Sequence, residues 1–337
     1  MSNYAYVATR ARSRRSRLLP AEAYNQLLNL EHAEIARYIQ DLEYRREIDR
    51  YGSTLSGADL IETALVDNLA KDIGDFLSFS KGKLRDILHV YAEKYRVDNL
   101  KNIIRGINQN MDRQNLERLV CPINDSDKDL YSKLYDSKTV EDVISSLEGT
   151  PYYNPLKKAL ESRNSDSLQP LEDTLDLIYY RNLVSNQPSG GADVEVYRNF
   201  VQLKVDIANI KTLLRMRHRG IGSHDELLIS GGTLATDLLA STQSLEDLLS
   251  SLEGTKYFEL LEPHLKPDSV DLNSCVHSLD EYMAKKTKRF SYLYPLSVLP
   301  VLDYLLKKER EVYNLRAIVR GKQAGLANDI IEELVVV

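Results

Sequence analysis

Asn99-Leu-Lys-Asn-Ile-Ile-Arg105 returns as Asn209-Ile-Lys-Thr-Leu-Leu-Arg215 and again as Asn314-Leu-Arg-Ala-Ile-Val-Arg320. Every copy reads Asn, aliphatic, base, any residue, two aliphatics, Arg, and the copies stand 110 and 105 residues apart. In the first, Leu100, Ile103 and Ile104 share a helical face with Val97 and Ile107. Ile207, Ile210, Leu213 and Leu214 match them in the second, and Val312, Leu315, Ile318 and Val319 in the third. That spacing predicts a helix with one buried stripe in each copy. A second marker repeats with the same period: Val143-Ile-Ser-Ser-Leu-Glu-Gly-Thr150 becomes Leu248-Leu-Ser-Ser-Leu-Glu-Gly-Thr255, and a weaker Tyr38-Ile-Gln-Asp-Leu-Glu43 precedes the first by 105 residues.

Working outward, helical periodicity continues almost everywhere. Leu84, Ile87, Leu88, Tyr91 and Tyr95 form one stripe, and strand alternation is hardly seen. Glycine-, proline- and asparagine-rich breaks at residues 52–57, 186–191 and 220–222 read as helix stops and loops. The chain is therefore expected to be all-α. The repeats begin alike, at Leu18-Leu-Pro20, Leu119-Val-Cys-Pro122 and Leu227-Leu-Ile-Ser230, which sets expected domains at residues 1–115, 116–223 and 224–337. A unit of about 105 residues is longer than a solenoid repeat and can hold its own core. Three similar helical domains with the same packing surfaces are expected to close into a pseudo-threefold ring or funnel.

Charge excludes several functions. Against 50 Asp and Glu stand 44 Lys and Arg in 337 residues, a net of −6, which gives no whole-chain electrostatic reason to bind nucleic acid or an anionic bilayer. The charge is uneven within the last repeat: residues 223–280 carry 11 acids and 2 bases, residues 281–322 carry 10 bases and 4 acids. These halves could pair with each other. Residues 290–306 form the least charged long stretch, but Pro295, Pro300 and Asp303 interrupt it and it is shorter than the roughly 20 residues of a spanning helix. No transmembrane segment is expected. Arg10, Arg12, Arg14, Arg15 and Arg17 are followed by no apolar secretory core, and helical patterning starts right after Pro20, leaving little to cleave as a transit peptide. Cys121 and Cys275 lie far apart in no CxxC pattern, which fits a reducing cytosol and suggests neither a disulfide framework nor a cysteine zinc site.

No catalytic constellation is legible, and no cofactor, metal or catalytic residue is assigned. There is no phosphate-cradling G-x-x-x-x-G-K-[ST], and Gly220-Ile-Gly222 runs into Ser-His-Asp without the third glycine of a dinucleotide loop. Neither H-E-x-x-H nor G-x-S-x-G occurs; His218 and His224 flank a turn without a further ligand pattern. The Asn124-Asp-Ser126 sequon has no meaning in a cytosolic chain.

The candidate interface or structural residues are Arg10 and Arg12 in the N-terminal run, together with Asn99, Arg105, Asn209, Arg215, Asn314 and Arg320 of the repeated motif. Asn is a poor helix-interior residue, so its repetition implies that its amide bonds something, such as a neighbouring helix end. The arginines either pair within their own domains or ring a central opening, where guanidinium forks meet a partner's carboxylates or helix C-termini. The N-terminal arginines are either a solvated helix start, a dock for an acidic partner surface or, as the weaker alternative, a dock for lipid phosphates at the membrane face.

The opening Tyr4-Ala-Tyr-Val-Ala-Thr-Arg10-Ala-Arg12 with Leu18-Leu19, the three Asn-to-Arg helices, the Leu227 to Gly232 segment and the terminal Glu333-Leu-Val-Val-Val337 together resemble the C subunit of archaeal and bacterial A/V-type ATP synthases, which is similar to the d subunit of vacuolar ATPases. The resemblance covers essentially the whole chain. It implies a non-catalytic rotor part, peripheral on the cytoplasmic face of the cell membrane: a three-domain funnel that receives the central shaft subunits and sits on the cytoplasmic loops of the proteolipid rotor ring. Without it, the alternative is a soluble helical scaffold that binds partner helices in an unrelated complex.

Overall fold

A computed structural model describes residues 2–161, 167–221, 225–266 and 269–336. Within them are eighteen α-helices, two 3-10 turns and one antiparallel pair of two-residue strands, Leu265–Lys266 and Ser269–Val270. The fold is all-α. Every stripe residue named above, from Val97 to Val319, is at most 6 % exposed, as are Leu84, Ile87, Leu88, Tyr91 and Tyr95.

The chain gathers into two compact units, residues 1–172 with 304–337 and residues 173–303. In the first, Gly57–Phe79 packs on the short helices His32–Gln40, Arg45–Tyr51 and Arg113–Leu119 and on the long helix Lys83–Asn108. The chain's last long helix, Leu299–Gln323, joins this unit from Tyr304 onward. Its polar anchors there are buried. The Lys308 ammonium donates to the Tyr44 hydroxyl at 2.7 Å and to Glu311 at 3.1 Å, lying 4.0 Å from the centre of the Tyr44 ring. Glu311 also accepts from Tyr44 at 2.5 Å and from the Leu19 amide at 2.6 Å. Burial, then the Glu311 charge, pushes the Tyr44 hydroxyl well above its ordinary range, so it stays a donor. Asp72 accepts from Arg14 at 2.7 Å and from the Tyr304 hydroxyl. Since a buried charge is tolerated only when paired, these contacts fix which helices the 304–337 segment packs against.

In the second unit Ala192–His218 packs on Leu272–Leu293 and Leu245–Ser251. Tyr197, Phe200, Val201 and Val205 of the first helix and Cys275 and Leu279 of the second are at most 1 % exposed. Asp206 is fully buried and accepts from Thr233 N at 2.8 Å, Leu234 N at 3.1 Å and the Tyr257 hydroxyl at 3.0 Å. That carboxylate pins the 233–234 backbone and Tyr257 to the long helix.

Candidate functional site

Each motif asparagine is buried and grips the backbone of one downstream residue with both ends of its amide. Asn99 donates to Cys121 O at 2.8 Å and accepts from Cys121 N at 2.8 Å. Asn209 does the same to Ile229 at 2.8 and 2.9 Å, and Asn314 to Val336 at 2.8 and 2.9 Å. A side-chain amide offers a donor and an acceptor side by side, so it mimics one rung of a β-ladder and satisfies an extended residue that has no strand beside it.

The local chain turn that makes this possible is also repeated. Eleven places after each Asn the backbone is left-handed, at Asn110 (φ 55), Gly220 (φ 65) and Gly325 (φ 72). The next amide in each copy reaches back five residues, Met111 N to Gly106 O at 2.9 Å, Ile221 N to Met216 O at 3.0 Å and Leu326 N to Gly321 O at 3.0 Å. Those bonds, with Asn110 N to Ile107 O and its two counterparts, are a Schellman stop. The chain therefore leaves each long helix in the same direction and returns along it to the waiting asparagine.

The motif arginines pair with carboxylates. Arg105 forms a bidentate pair with Glu172, Nε to Oε1 at 2.6 Å and Nη2 to Oε2 at 2.5 Å, and remains half exposed. Arg215 meets Asp173 at 2.7 Å. Arg320 joins Asp59 at 3.1 Å and also Glu62, which Arg316 holds at 2.7 Å; the Glu62 side chain is only 2 % exposed. Arg10 is exposed, with its guanidinium 4.8 Å from the centre of the Tyr6 ring and 4.3 Å from that of Phe79, in cation–π contact with both. Arg12 lies exposed on the helix Tyr4–Arg15, while Arg14 of the same run is drawn inward, to Asp72 and to Asp75 at 2.5 Å. His224 and Gly222 lie outside the described residues.

Sequence reasoning passed over the place three residues before each Asn. Arg96 there pairs with the buried Asp127 at 2.7 Å, Asp206 holds the 233–234 backbone, and Glu311 holds Tyr44 and Lys308. All three are charged and partnered, yet Arg, Asp and Glu share no identity, so a search for identical letters misses them. A repeat of charged character on a buried stripe was the available signal.

Among the described residues no group of three or more His, Cys, Asp or Glu side chains is placed to hold a metal, and no helix is long and apolar enough to cross a membrane. An open cleft of about 380 Å³ beside Leu228 and Gln243 contains one titratable side chain, Asp237. A single carboxylate in an open cleft offers no acid–base pair.

Comparison with known proteins identifies this architecture. The profile of the ATP synthase (C/AC39) subunit family matches residues 7–334. The C subunit of the A-type ATP synthase of Haloferax volcanii is 36 % identical over 342 residues, covering 99 % of this chain and 98 % of that protein. The proteins of the same name from Archaeoglobus fulgidus and Methanococcoides burtonii are 33 % and 32 % identical, the alignments covering 99 % and 100 % of this chain and 96 % and 95 % of theirs. With its repeated helices intact from end to end of that match, the chain belongs to the ATP synthase (C/AC39) subunit family.

Proposed function

We propose that this chain is a non-catalytic rotor part of an ion-coupled A/V-type ATP synthase or ATPase. It acts as a socket of three similar helical domains, drawn from residues 1–115, 116–223 and 224–337, around a pseudo-threefold axis. The socket takes the end of the central shaft and stands on the cytoplasmic loops of the proteolipid ring, peripheral to the membrane, passing torque between them. The observation that carries this reading is the near full-length match to relatives named as the C subunit of A-type ATP synthases. A torque-bearing part must resist shear, and three clasps that tie each long helix to its following segment support that role. In this reading Asn99, Asn209 and Asn314 are internal fasteners. Arg105, Arg215 and Arg320, already occupied by carboxylates, brace the helices rather than grip a partner.

The test is omission and add-back in a complex reconstituted into vesicles. Omitting the chain should abolish ion-driven ATP synthesis while the detached catalytic head still hydrolyses ATP, and adding it back should restore synthesis. Full ion-driven synthesis without the chain overturns the proposal. Deleting residues 224–337 instead is a poor test, because it strips Arg316 and Arg320 from the buried Glu62 and removes the Asn314 clasp.

A further inference from the structure

The helix Leu272–Leu293 buries one face, where Met283, Thr287 and Ser291 are 7, 0 and 2 % exposed. Its opposite face is a stripe at helical spacing in which Lys285, Lys288, Arg289, Tyr292 and Leu293 are all exposed, and Leu296 in the turn beyond extends it. The order along this stripe is strict: bases first, then apolar groups toward the tip. Tyr292, Leu293, Tyr294 and Leu296 are 85, 54, 42 and 63 % exposed, a density of large apolar side chains found at no other turn of the described chain. No acidic residue occurs anywhere in residues 282–302. Lys285 pairs with Glu281 at 2.8 Å, whereas Lys288 and Arg289 meet no carboxylate within ion-pair distance among the described residues.

We infer that this tip docks on the surface of an anionic lipid bilayer. Four to eight residues of helix separate Lys285, Lys288 and Arg289 from Leu293, a rise of about 6 to 12 Å. That is the scale of one headgroup layer, about 5 to 8 Å on each side of a 30 Å hydrocarbon core. With the tip in the outer acyl region, the bases lie level with the lipid phosphates, and the tyrosines occupy the interface, where their rings and hydroxyls are both satisfied. A protein partner would need a groove lined by apolar groups and rimmed by acids; a bilayer presents that order of chemistry by depth alone. Basic residues near such a surface contribute about fivefold in partitioning apiece, and the apolar tip adds burial to the attraction.

This inference does not depend on the rotor assignment, because protein-free vesicles test it. The chain contains no Trp, so Tyr292→Trp places a single indole reporter at the tip. Its emission should shift to the blue and become sensitive to brominated acyl chains when phosphatidylcholine vesicles containing phosphatidylglycerol are added, with little change on pure phosphatidylcholine. In flotation assays, Lys288→Glu with Arg289→Glu, and separately Leu293→Asp with Leu296→Asp, should each lower the bound fraction at least tenfold. All four side chains are exposed, so thermal melting should not move. Absence of a shift, equal binding to both vesicles, or unchanged flotation of the variants would overturn the inference. Binding seen only when the vesicles carry a proteolipid ring would overturn it too, and assign the tip to a protein.

Discussion

One place past the motif arginine stands a glycine in the first and third copies of the repeat, Gly106 and Gly321, and a methionine in the second, Met216. Around the glycines the geometry is tight. A Cβ on Gly106 would lie 2.3 Å from Leu116 Cδ2, and one on Gly321 would lie 2.7 Å from Ile331 Cγ1. Leu116 and Ile331 belong to the seven-residue helices Arg113–Leu119 and Asn328–Leu334, each pressed onto the end of its long helix. In the second copy this place holds Met216, whose side chain is buried, and among the described residues the segment that follows forms the 3-10 turn Asp225–Leu227. The clasp is shortened to match: its two residues are 22 apart in the first and third copies and 20 apart in the second. The hydrogen bonds are thus kept while the packing beneath them is exchanged. The orphaned backbone must be satisfied in every copy, whereas the apolar volume can be filled by a neighbouring helix or by a longer side chain.

If the clasp is the invariant part, breaking it should have the largest effect. Asn99→Ala and Asn209→Ala each leave a buried backbone N–H and C=O without partners, at roughly 1 to 3 kcal/mol for each group, so a loss of about 2 to 5 kcal/mol is expected. Asn314→Ala should cost less, because Val336 is only half buried and water can replace the amide. Denaturant unfolding of the three variants gives the order directly. Equal losses at all three positions would show that burial of the gripped residue does not set the cost.

The exchange of packing is tested by swapping its occupants. Gly321→Met and Gly106→Met should destabilise by about 1 to 3 kcal/mol through overpacking, with Gly321 the worse site because β-branched Ile331 has less freedom to turn aside than Leu116. Met216→Gly should cost a comparable amount by the opposite route, an emptied site and a glycine near a helix end. Hydrogen exchange over residues 113–119 and 328–334 should report loosening of those short helices in the glycine variants alone. Tolerance of methionine at both glycines would mean the short helices do not need the close approach.

These contrasts show what the letters could reveal. The three asparagines stood out because helix interiors disfavour them, and the apolar stripes because 3.6-residue spacing survives substitution among aliphatics. Their partners did not stand out. Cys121, Ile229 and Val336 are gripped through backbone atoms, which leave no mark on side-chain identity. The Schellman turns use Asn110 in one copy and glycine in two, so only a search by conformation aligns them. The anchoring of residues 304–337 beside the first 172 depends on Lys308, Glu311, Tyr44 and Tyr304, contacts separated by more than 200 residues that no local period encodes. The exposed tip at 292–296 lay inside the stretch read as least charged; apolar sequence alone does not say which side chains face water.

The smallest expected effect concerns a feature matched in the two compact units, the helix starts of the 105-residue marker. Thr139 Oγ1 accepts from Asp142 N at 3.2 Å while Asp142 reaches back to the Thr139 amide at 3.1 Å. Ser244 and Asp247 repeat this reciprocal box at 3.0 and 3.1 Å. Because packing does not enter, Thr139→Ala and Ser244→Ala should cost the same, about 1 kcal/mol each. The pH dependence follows from Asp247, whose carboxyl is held below its ordinary value of 3.8, first by the Gln243 amide and then by the Ser244 hydroxyl. A folded-state value below the unfolded one means that the unfolded chain binds the proton more readily. The contribution is therefore complete above the ordinary value and fades as pH falls through the lowered one. The stability gap between the parent chain and Asp247→Asn should accordingly be constant from neutral pH down to about 5 and narrow below about 4. A gap that instead widened on acidification would mean that the protonated carboxyl serves the helix start better than the carboxylate, and the reciprocal bonding would then not be what lowers its value.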